Sequence, residues 1–332
     1  MSQHYDRQQS TQLTQLLRIS PYVQIARPDH WFKNVFMLAG VLLGVLYSPE
    51  MVSPAIAWTV LLGLGSVCLV ASANYVINEI LDAPTDLSHP VKRNRPIPSG
   101  RVWLPLAYAE WVILALSGLA IAYIIGVHFF ITSAIFLLMG IVYNVPPIRT
   151  KELAYLDVVS EAVNNPLRLA LGWFAVGNVA IPPMSLVLFF WMIGAFFMAT
   201  KRFSEYRAIA DAKRAAAYRS SFRYYDDNRL LVSMFFFATA AALFLGIFII
   251  RYKLELILII PLVAGFFSWY MRVALKDNSA AQSPERLYRE RGLVVYLIVC
   301  LVAFVAIMFI KIPLLYEWFN VKTSNLPLLW EL

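Results

Sequence analysis

Asn78, Glu79, Asp82 and Asp86 place four oxygen-bearing side chains within one short stretch. Asn78, Asp82 and Asp86 are spaced i, i+4 and i+8, and Glu79 stands three residues before Asp82, so a helix brings all four to one face. Carboxylates gathered in this way repel each other unless a cation joins them. Hard oxygen donors suit Mg²⁺, which keeps several waters and bridges to substrate phosphates. The plainer alternative is a solvated acidic helix end. Against it stands the context: an apolar run precedes the carboxylates, and Lys92, Arg93 and Arg95 follow them. Those three cations either bind phosphate oxygens, for which Arg offers a bidentate fork, or anchor the chain at a membrane face. The two uses are compatible. Arg95-Pro96-Ile97-Pro98-Ser99-Gly100 reads as a rigid loop into the next segment. Pro84 is expected to bend or unwind the helix, leaving Asp86 just past its end.

The elements that must position these groups are membrane-length. Of 332 residues, 60% are hydrophobic and 14% charged, with a mean hydropathy of +0.65. A soluble domain is about a quarter charged, so this balance excludes water as the main solvent. Nine apolar runs stand out, at roughly 32–49, 54–77, 104–125, 127–145, 157–180, 183–200, 231–250, 254–272 and 293–312. Each approaches the length of about 20 residues that a helix needs to cross the hydrocarbon. The expected fold is therefore all-α, a polytopic transmembrane bundle of about nine spans.

The fifth run is the weakest, because it contains Asp157, Glu161, Asn164, Asn165, Pro166 and Arg168. Cys68 and Cys300 lie inside apolar runs and read as small core residues. The polar first 20 residues carry no apolar signal-peptide core, so no cleavable signal is expected.

With the N-terminus cytoplasmic, the inside segments hold 4, 4, 2, 8 and 5 basic residues, which is 23 of the 28. The outside segments hold Arg251, Lys253, Lys311 and Lys322, and Arg168 lies within a run. This asymmetry predicts a multi-pass protein of the cell (inner) membrane with a cytoplasmic N-terminus. The net charge of +8 thus reflects topology and implies no nucleic acid. The expected organisation is an N-terminal cytoplasmic or interfacial segment at 1–26, a catalytic transmembrane bundle at 27–315 and a tail at 316–332. Residues Thr11 to Asp29 read either as an interfacial helix or as a tail with a turn at Pro21.

A second group of polar residues closes the fourth run and enters the fifth. Tyr143 is placed to hydrogen-bond a substrate oxygen while Arg149 and Lys151 clamp phosphates; the alternative is an interfacial Tyr with two anchoring cations. Asp157 and Glu161, at i and i+4, are open between metal binding, pairing with cations and capping. Asn164, Asn165 and Arg168 continue the stripe deeper. An Arg within a span is costly without a partner, so Arg168 is either a site residue or the partner of Glu161.

Asn78-Glu79-x-x-Asp82-x-x-x-Asp86, followed by Lys92-x-x-Arg95-Pro96-Ile97-x-Ser99-Gly100, resembles the first signature of the UbiA superfamily of intramembrane prenyltransferases. The usual form is N-D-x-x-D-x-x-x-D, from which Glu79 departs by one methylene. The resemblance runs from about Ile25 to the ninth run. It implies a helical bundle with a central cavity, Mg²⁺ held by Asn78, Glu79, Asp82 and Asp86, and a lateral opening for a lipid substrate.

Many members carry a second motif, D-x-x-x-D, after the sixth span. Here that spacing reads Lys201-x-x-x-Glu205, which disfavours a second all-carboxylate metal site and suits an anion held by Lys201, Arg202 or Arg207. Plain anchoring by these cations is the alternative. The basic and aromatic residues Tyr218, Arg219, Phe222, Arg223, Tyr224, Tyr225 and Arg229 then suggest a lid or a lipid-headgroup contact.

Several segments are similar to the decaprenyl-phosphate phosphoribosyltransferase branch. They are Arg27-Pro28-Asp29-His30-Trp31-Phe32-Lys33-Asn34, His89-Pro90-x-Lys92-Arg93-x-Arg95-Pro96-Ile97, Pro166-Leu167-Arg168-Leu169-Ala170-Leu171-Gly172 and Lys201-Arg202-Phe203-x-Glu205. Tyr143-x-x-Pro146-Pro147-x-Arg149-x-Lys151 departs from that branch and looks closer to aromatic prenyltransferases.

The resemblance implies a Mg²⁺-dependent transferase that moves phosphoribose from phosphoribosyl pyrophosphate to a polyprenyl phosphate. The second reading is prenyl transfer from a prenyl diphosphate to an aromatic or other acceptor, and the third is a non-catalytic transporter or scaffold. A transporter's ionisable residues belong near the midplane, whereas most of these cluster at one face. The expected catalytic residues are Asp82, Asp86, Lys201 and Glu205. The expected substrate-binding residues are Lys33, Asn74, Lys92, Arg93, Arg95, Tyr143, Lys151, Asn165, Arg168 and Arg202. The expected partners are a polyprenyl lipid, a diphosphate-bearing donor and membrane lipids; nothing in the sequence bears on oligomeric state.

Overall fold

The computed structural model describes residues 19–49, 53–87, 92–277, 279–282 and 284–321. Residues 1–18 of the N-terminal segment, His89-Pro90, Lys322 and the rest of the tail lie outside the described residues. The described residues form α-helices and short 3₁₀ turns with no strand, and they divide into two compact units. The first takes its described residues from 1–150 and 167–179, the second from 151–166 and 180–332.

The first unit begins with α1 (Ile19–Ala26), a short helix that buries Pro21 and Ile25 and leaves Ile19 and Val23 exposed. A 3₁₀ stretch, Pro28–Phe36, leads into α2 (Met37–Tyr47). Then come α3 (Pro54–Asp86), α4 (Leu104–Ile125) and α5 (Val127–Asn144), with α3 packed chiefly on α4 and also on α5. A single residue, Gly126 at φ 154°, separates α4 from α5 in a setting that favours glycine. The unit also takes in the later part of α7 (Asn164–Ala175). A Cβ on Gly40 of α2 would strike the Leu169 carbonyl, and one on Gly172 of α7 would strike the Met37 carbonyl. Paired glycines thus let the two backbones touch, as small residues do between helices in lipid.

The second unit contains α6 (Leu156–Ala162), α8 (Met184–Ile209), α9 (Ala212–Tyr218) and α10 (Asp227–Tyr252). A 3₁₀ stretch, Leu254–Ile259, runs into α11 (Ile260–Ala274), followed by α12 (Arg291–Met308) and α13 (Pro313–Trp318). α8 and α10 make the most extensive helix pair. The core around them includes Phe196, Phe203, Phe222, Met234, Phe237 and Tyr270. Asp211 and Asp226 start α9 and α10 as N-caps, accepting from the backbone N–H of Arg214 and Arg229.

Eight stretches among the described residues are long and apolar enough to cross a membrane, and they coincide with eight of the nine apolar runs. The fifth run is instead broken: α6 ends at Ala162 and α7 starts at Asn164. Asn favours helix ends and Pro166 fits a first turn, where its missing N–H goes unnoticed. At twelve residues, α7 is about 18 Å long, short of the roughly 30 Å hydrocarbon. α3 is the opposite case. Its 33 residues make a rod about 50 Å long, so its last turns stand clear of the hydrocarbon. Pro84 does not end it; the helix runs to Asp86, and Leu87 N–H closes the last turn on Ala83 O at 3.2 Å. So near a terminus, the missing proline N–H removes a single bond and leaves the remaining turn closed. Trp58, Leu61, Ile113, Leu116, Phe235 and Phe236 are exposed on the long helices, as lipid-facing residues are.

Candidate active site

In the first unit, α3 sends its four signature side chains in two directions. Asn78 and Asp82 meet the end of α5: Asn78 Nδ2 donates to Asn144 Oδ1, and Arg149 Nη2 lies 3.0 Å from Asp82 Oδ1. Asn144 is itself fixed by donating to Gly140 O at 2.8 Å. Glu79 and Asp86 meet the 95–97 loop and the N-terminal segment. Ile97 N–H donates to Glu79 Oε1 at 3.2 Å, Arg27 Nη2 sits 3.4 Å from Glu79 Oε2, and Arg95 Nη1 donates to Asp86 Oδ2 at 2.6 Å. Beside this second pair lies an open cleft of about 630 Å³ whose polar lining includes Gln24, Arg27, His30, Glu79 and Arg95.

One turn deeper on α3, Asn74 donates to Phe136 O at 3.1 Å, in space that exists because residue 140 is glycine. Arg168 is buried over the Phe136 ring, 5.0 Å from its centroid, and its Nε donates to Asn34 Oδ1 at 3.0 Å. Asn34 in turn donates to Cys68 Sγ at 3.2 Å. Lys33 Nζ lies 3.1 Å from His30 Nδ1. Lys92 and Arg93 share a 3₁₀ turn ahead of Arg95, Lys92 half-buried and Arg93 exposed, and Tyr143 is half-buried in the last turn of α5.

The donor set fits a Mg²⁺ ion shared with a substrate. Among the described residues no three His, Cys, Asp or Glu side chains gather into a closed cage. Mg²⁺ needs none, since one or two carboxylates plus waters and phosphate oxygens complete its shell. Because Asn78 donates through Nδ2, its Oδ1 remains the carboxamide's acceptor, one turn from the Asp82 carboxylate. Asp82 and Asp86 are each held by an arginine, the residue type that exchanges a carboxylate for a phosphate without losing its charge.

In the second unit, Asp157 at the start of α6 has no exposed surface and collects four donors. Arg202 Nε (3.0 Å), Arg219 Nη1 (3.3 Å) and Ser221 Oγ (3.2 Å) reach Oδ2, and Tyr225 OH (2.7 Å) reaches Oδ1. The Tyr225 oxygen also accepts Tyr155 N–H at 2.6 Å. Burial, and then the Asp157 carboxylate, push this phenol well above its ordinary pKa, so it stays a donor at any working pH. Arg202 passes on to Glu205 (Nη1–Oε2, 2.9 Å), and Lys201 stands 3.9 Å from Glu205 Oε1. Lys151 is buried in a 3₁₀ turn, and Asn165 is half-buried where Gly194 leaves room for its carboxamide.

Several partners escaped the sequence reading. Arg27, Asn34 and Asn144 hold site candidates from 52, 134 and 66 residues away. Only the Arg27–Asn34 segment carried a signal, through its resemblance. Arg219, Ser221 and Tyr225 lie in the stretch assigned to a lid or headgroup contact; the structure turns them inward onto Asp157.

A profile described as the UbiA prenyltransferase family matches residues 35–297. A protein named decaprenyl-phosphate phosphoribosyltransferase from Mycobacterium tuberculosis is 30% identical over 234 residues, covering 69% of this chain and 74% of that one. Its namesake from Mycolicibacterium smegmatis is 29% identical over 230 residues, covering 69% and 70%. Among solved structures, a UbiA homolog from Archaeoglobus fulgidus bound to GPP and Mg²⁺ superposes with a TM-score of 0.66 at 22% identity, covering 87% of this chain and 98% of that one. That likeness speaks to the fold.

Proposed function

Since the chain belongs to the UbiA prenyltransferase family, a family of membrane transferases, we propose that it moves phosphoribose from phosphoribosyl pyrophosphate to a polyprenyl phosphate. The observation that carries this reading is the charge of the second unit's polar cluster. Asp157 and Glu205, the acids that a second metal would need, are already bound by Arg202, Arg219 and Lys201. A cluster with more cations than acids suits a phosphate held without its own metal. The names of the relatives support the same transferred group and the same class of acceptor.

In this reading the diphosphate of the donor docks at the exposed end of α3. Asn78, Asp82 and Asp86 would hold Mg²⁺ there, and a bound ion would supply the charge that offsets the leaving diphosphate. Arg149 and Arg95 leave their carboxylates for phosphate oxygens, joined by Lys92 and Arg93. Glu79, engaged by Ile97 N–H and Arg27, serves to hold the loop that carries Arg95. As the bond to the diphosphate lengthens, positive charge grows at ribose C1 and an oxygen of the polyprenyl phosphate attacks it. Catalysis is positioning and charge neutralisation. In the second unit Lys201 contacts the acceptor phosphate or the 5-phosphate; in the first, Arg168 is a substrate contact and Lys33, Asn74 and Tyr143 are lining residues. The same carboxylates would serve a prenyl diphosphate donor, a second reading favoured by the Tyr143-to-Lys151 pattern.

The asymmetry of the basic residues supports a cytoplasmic N-terminus, with the polar clusters at that face of the inner membrane. Cysteines placed in the 82–100 and 201–229 stretches are expected to resist impermeant thiol reagents until cells are permeabilised; labelling of intact cells would reverse the orientation. The decisive test of function is incubation of membranes with labelled phosphoribosyl pyrophosphate and polyprenyl phosphate. Label is expected in the lipid extract, dependent on Mg²⁺. Labelling from a prenyl diphosphate alone would replace this reading by the second.

A further inference from the structure

In the second unit four charges of alternating sign run in a line from the interior outward. Asp157 is 0% exposed, Arg202 2%, Glu205 15% and Lys201 27%. The links are Asp157 to Arg202 at 3.0 Å, Arg202 to Glu205 at 2.9 Å and Glu205 to Lys201 at 3.9 Å. The inner end is the rigid one, because Asp157 is also bound by Arg219, Ser221 and Tyr225. At the outer end Glu205 meets the flexible side chain of Lys201 at 3.9 Å.

We propose that Asp157 is a positioning residue, which fixes Lys201 for the substrate through Arg202 and Glu205, and that Lys201 alone of the four touches the substrate. The proposal rests on the reading of Lys201 as a substrate contact, and it gives Arg202 and Glu205 a different part from direct contact. Arg202 is the fixed joint: its Nε is taken by Asp157 and its Nη1 by Glu205, so its planar fork transmits orientation from one acid to the other. Glu205, gripped by Arg202 on one oxygen, offers the other to Lys201. An arriving phosphate then meets an ammonium whose reach is set before binding, which lowers the ordering cost of the contact.

Asp157→Asn keeps the shape and removes the charge at the root of the line. Two measurements decide the matter. The first is the rate at which Lys201 is acylated by an amine reagent, read by peptide mass spectrometry. It should change severalfold in Asp157→Asn, and an unchanged rate overturns the proposal. The second is a double-mutant cycle with Lys201→Ala, read as KM and kcat for each substrate. Asp157→Asn should raise one substrate's KM about tenfold with kcat nearly kept, and should add little once Lys201 is alanine. Equal effects in both backgrounds would make Asp157 a structural acid only.

Should Asp157→Asn fail to accumulate in membranes, Tyr225→Phe removes one donor without altering charge and enters the same two measurements with smaller expected effects. If Lys201→Ala itself leaves phosphoribosyl transfer intact, the functional reading falls. The acylation rate still decides whether Asp157 positions Lys201.

Discussion

Asp82 and Asp157 are both acids beside an arginine, but they live in different surroundings. Asp82 meets Arg149 at 3.0 Å with the two side chains 19% and 15% exposed, whereas Asp157 has no exposed surface and collects two arginines, a serine and a tyrosine. A carboxylate that must change partners during a reaction has to remain within reach of water and ligand. One that is desolvated completely must keep every partner, because a buried charge left alone is costly. Asp82 is thus open to an exchange of partners, whereas Asp157 is fixed among its donors.

The largest test of this contrast is Asp82→Asn. It should lower turnover about a thousandfold, as loss of a transition-state charge contact does, and cost stability about 1 kcal/mol or less, as a partly exposed pair does. Near-normal turnover would remove Asp82 from the mechanism. Asp157→Asn should show the converse emphasis, with a loss of about 3 kcal/mol because buried Arg202 keeps only Glu205 as its acid, read as a large drop in melting temperature in detergent. A melting curve unchanged from wild type would erase the distinction between the two acids.

Lys201→Asp sharpens the comparison by making the outer end of the second cluster acidic. Phosphoribosyl transfer should fall at least about a hundredfold, since attraction becomes repulsion at a poorly solvated site. Retained turnover of a prenyl diphosphate alone, by wild type and variant, would favour the second reading. The smallest effect is expected of Glu79→Asp. The shorter side chain weakens the bond to Ile97 N–H and costs about 1 kcal/mol, with turnover and Mg²⁺ dependence kept. A raised Mg²⁺ requirement would return residue 79 to the metal's own ligands.

The acids of the first unit were legible because their geometry is local: a helix repeats every 3.6 residues, so i and i+4 spacing survives in the sequence. What they pair with was not. Asn144 and Arg149 reach α3 across 66 and 67 residues, and no periodicity encodes such a meeting. Asp157 shows the same limit, since its donors come from 45 to 68 residues downstream; the sequence offered three roles and the fold selected pairing. Eight apolar runs announced their helices. In the fifth, the residues that made it look doubtful, Asn164, Asn165 and Pro166, are the ones at which the chain breaks into α6 and α7.

The length of α3 has a mechanical consequence. A continuous 33-residue helix behaves as a crankshaft, in which a change of register anywhere along the lipid-embedded half is delivered undiminished to the exposed end. One residue inserted near Gly65, where a side chain would meet no neighbour within 4 Å, would advance the Asp82 end by about 1.5 Å and turn it by about 100°. That swings Asp82 away from Arg149 and carries Glu79 round with it. Four inserted residues would nearly restore the angle while displacing the acids by about 6 Å. Activity in such a series should follow angle and height together, so the phase of this one helix works as a dial on the chemistry at its tip.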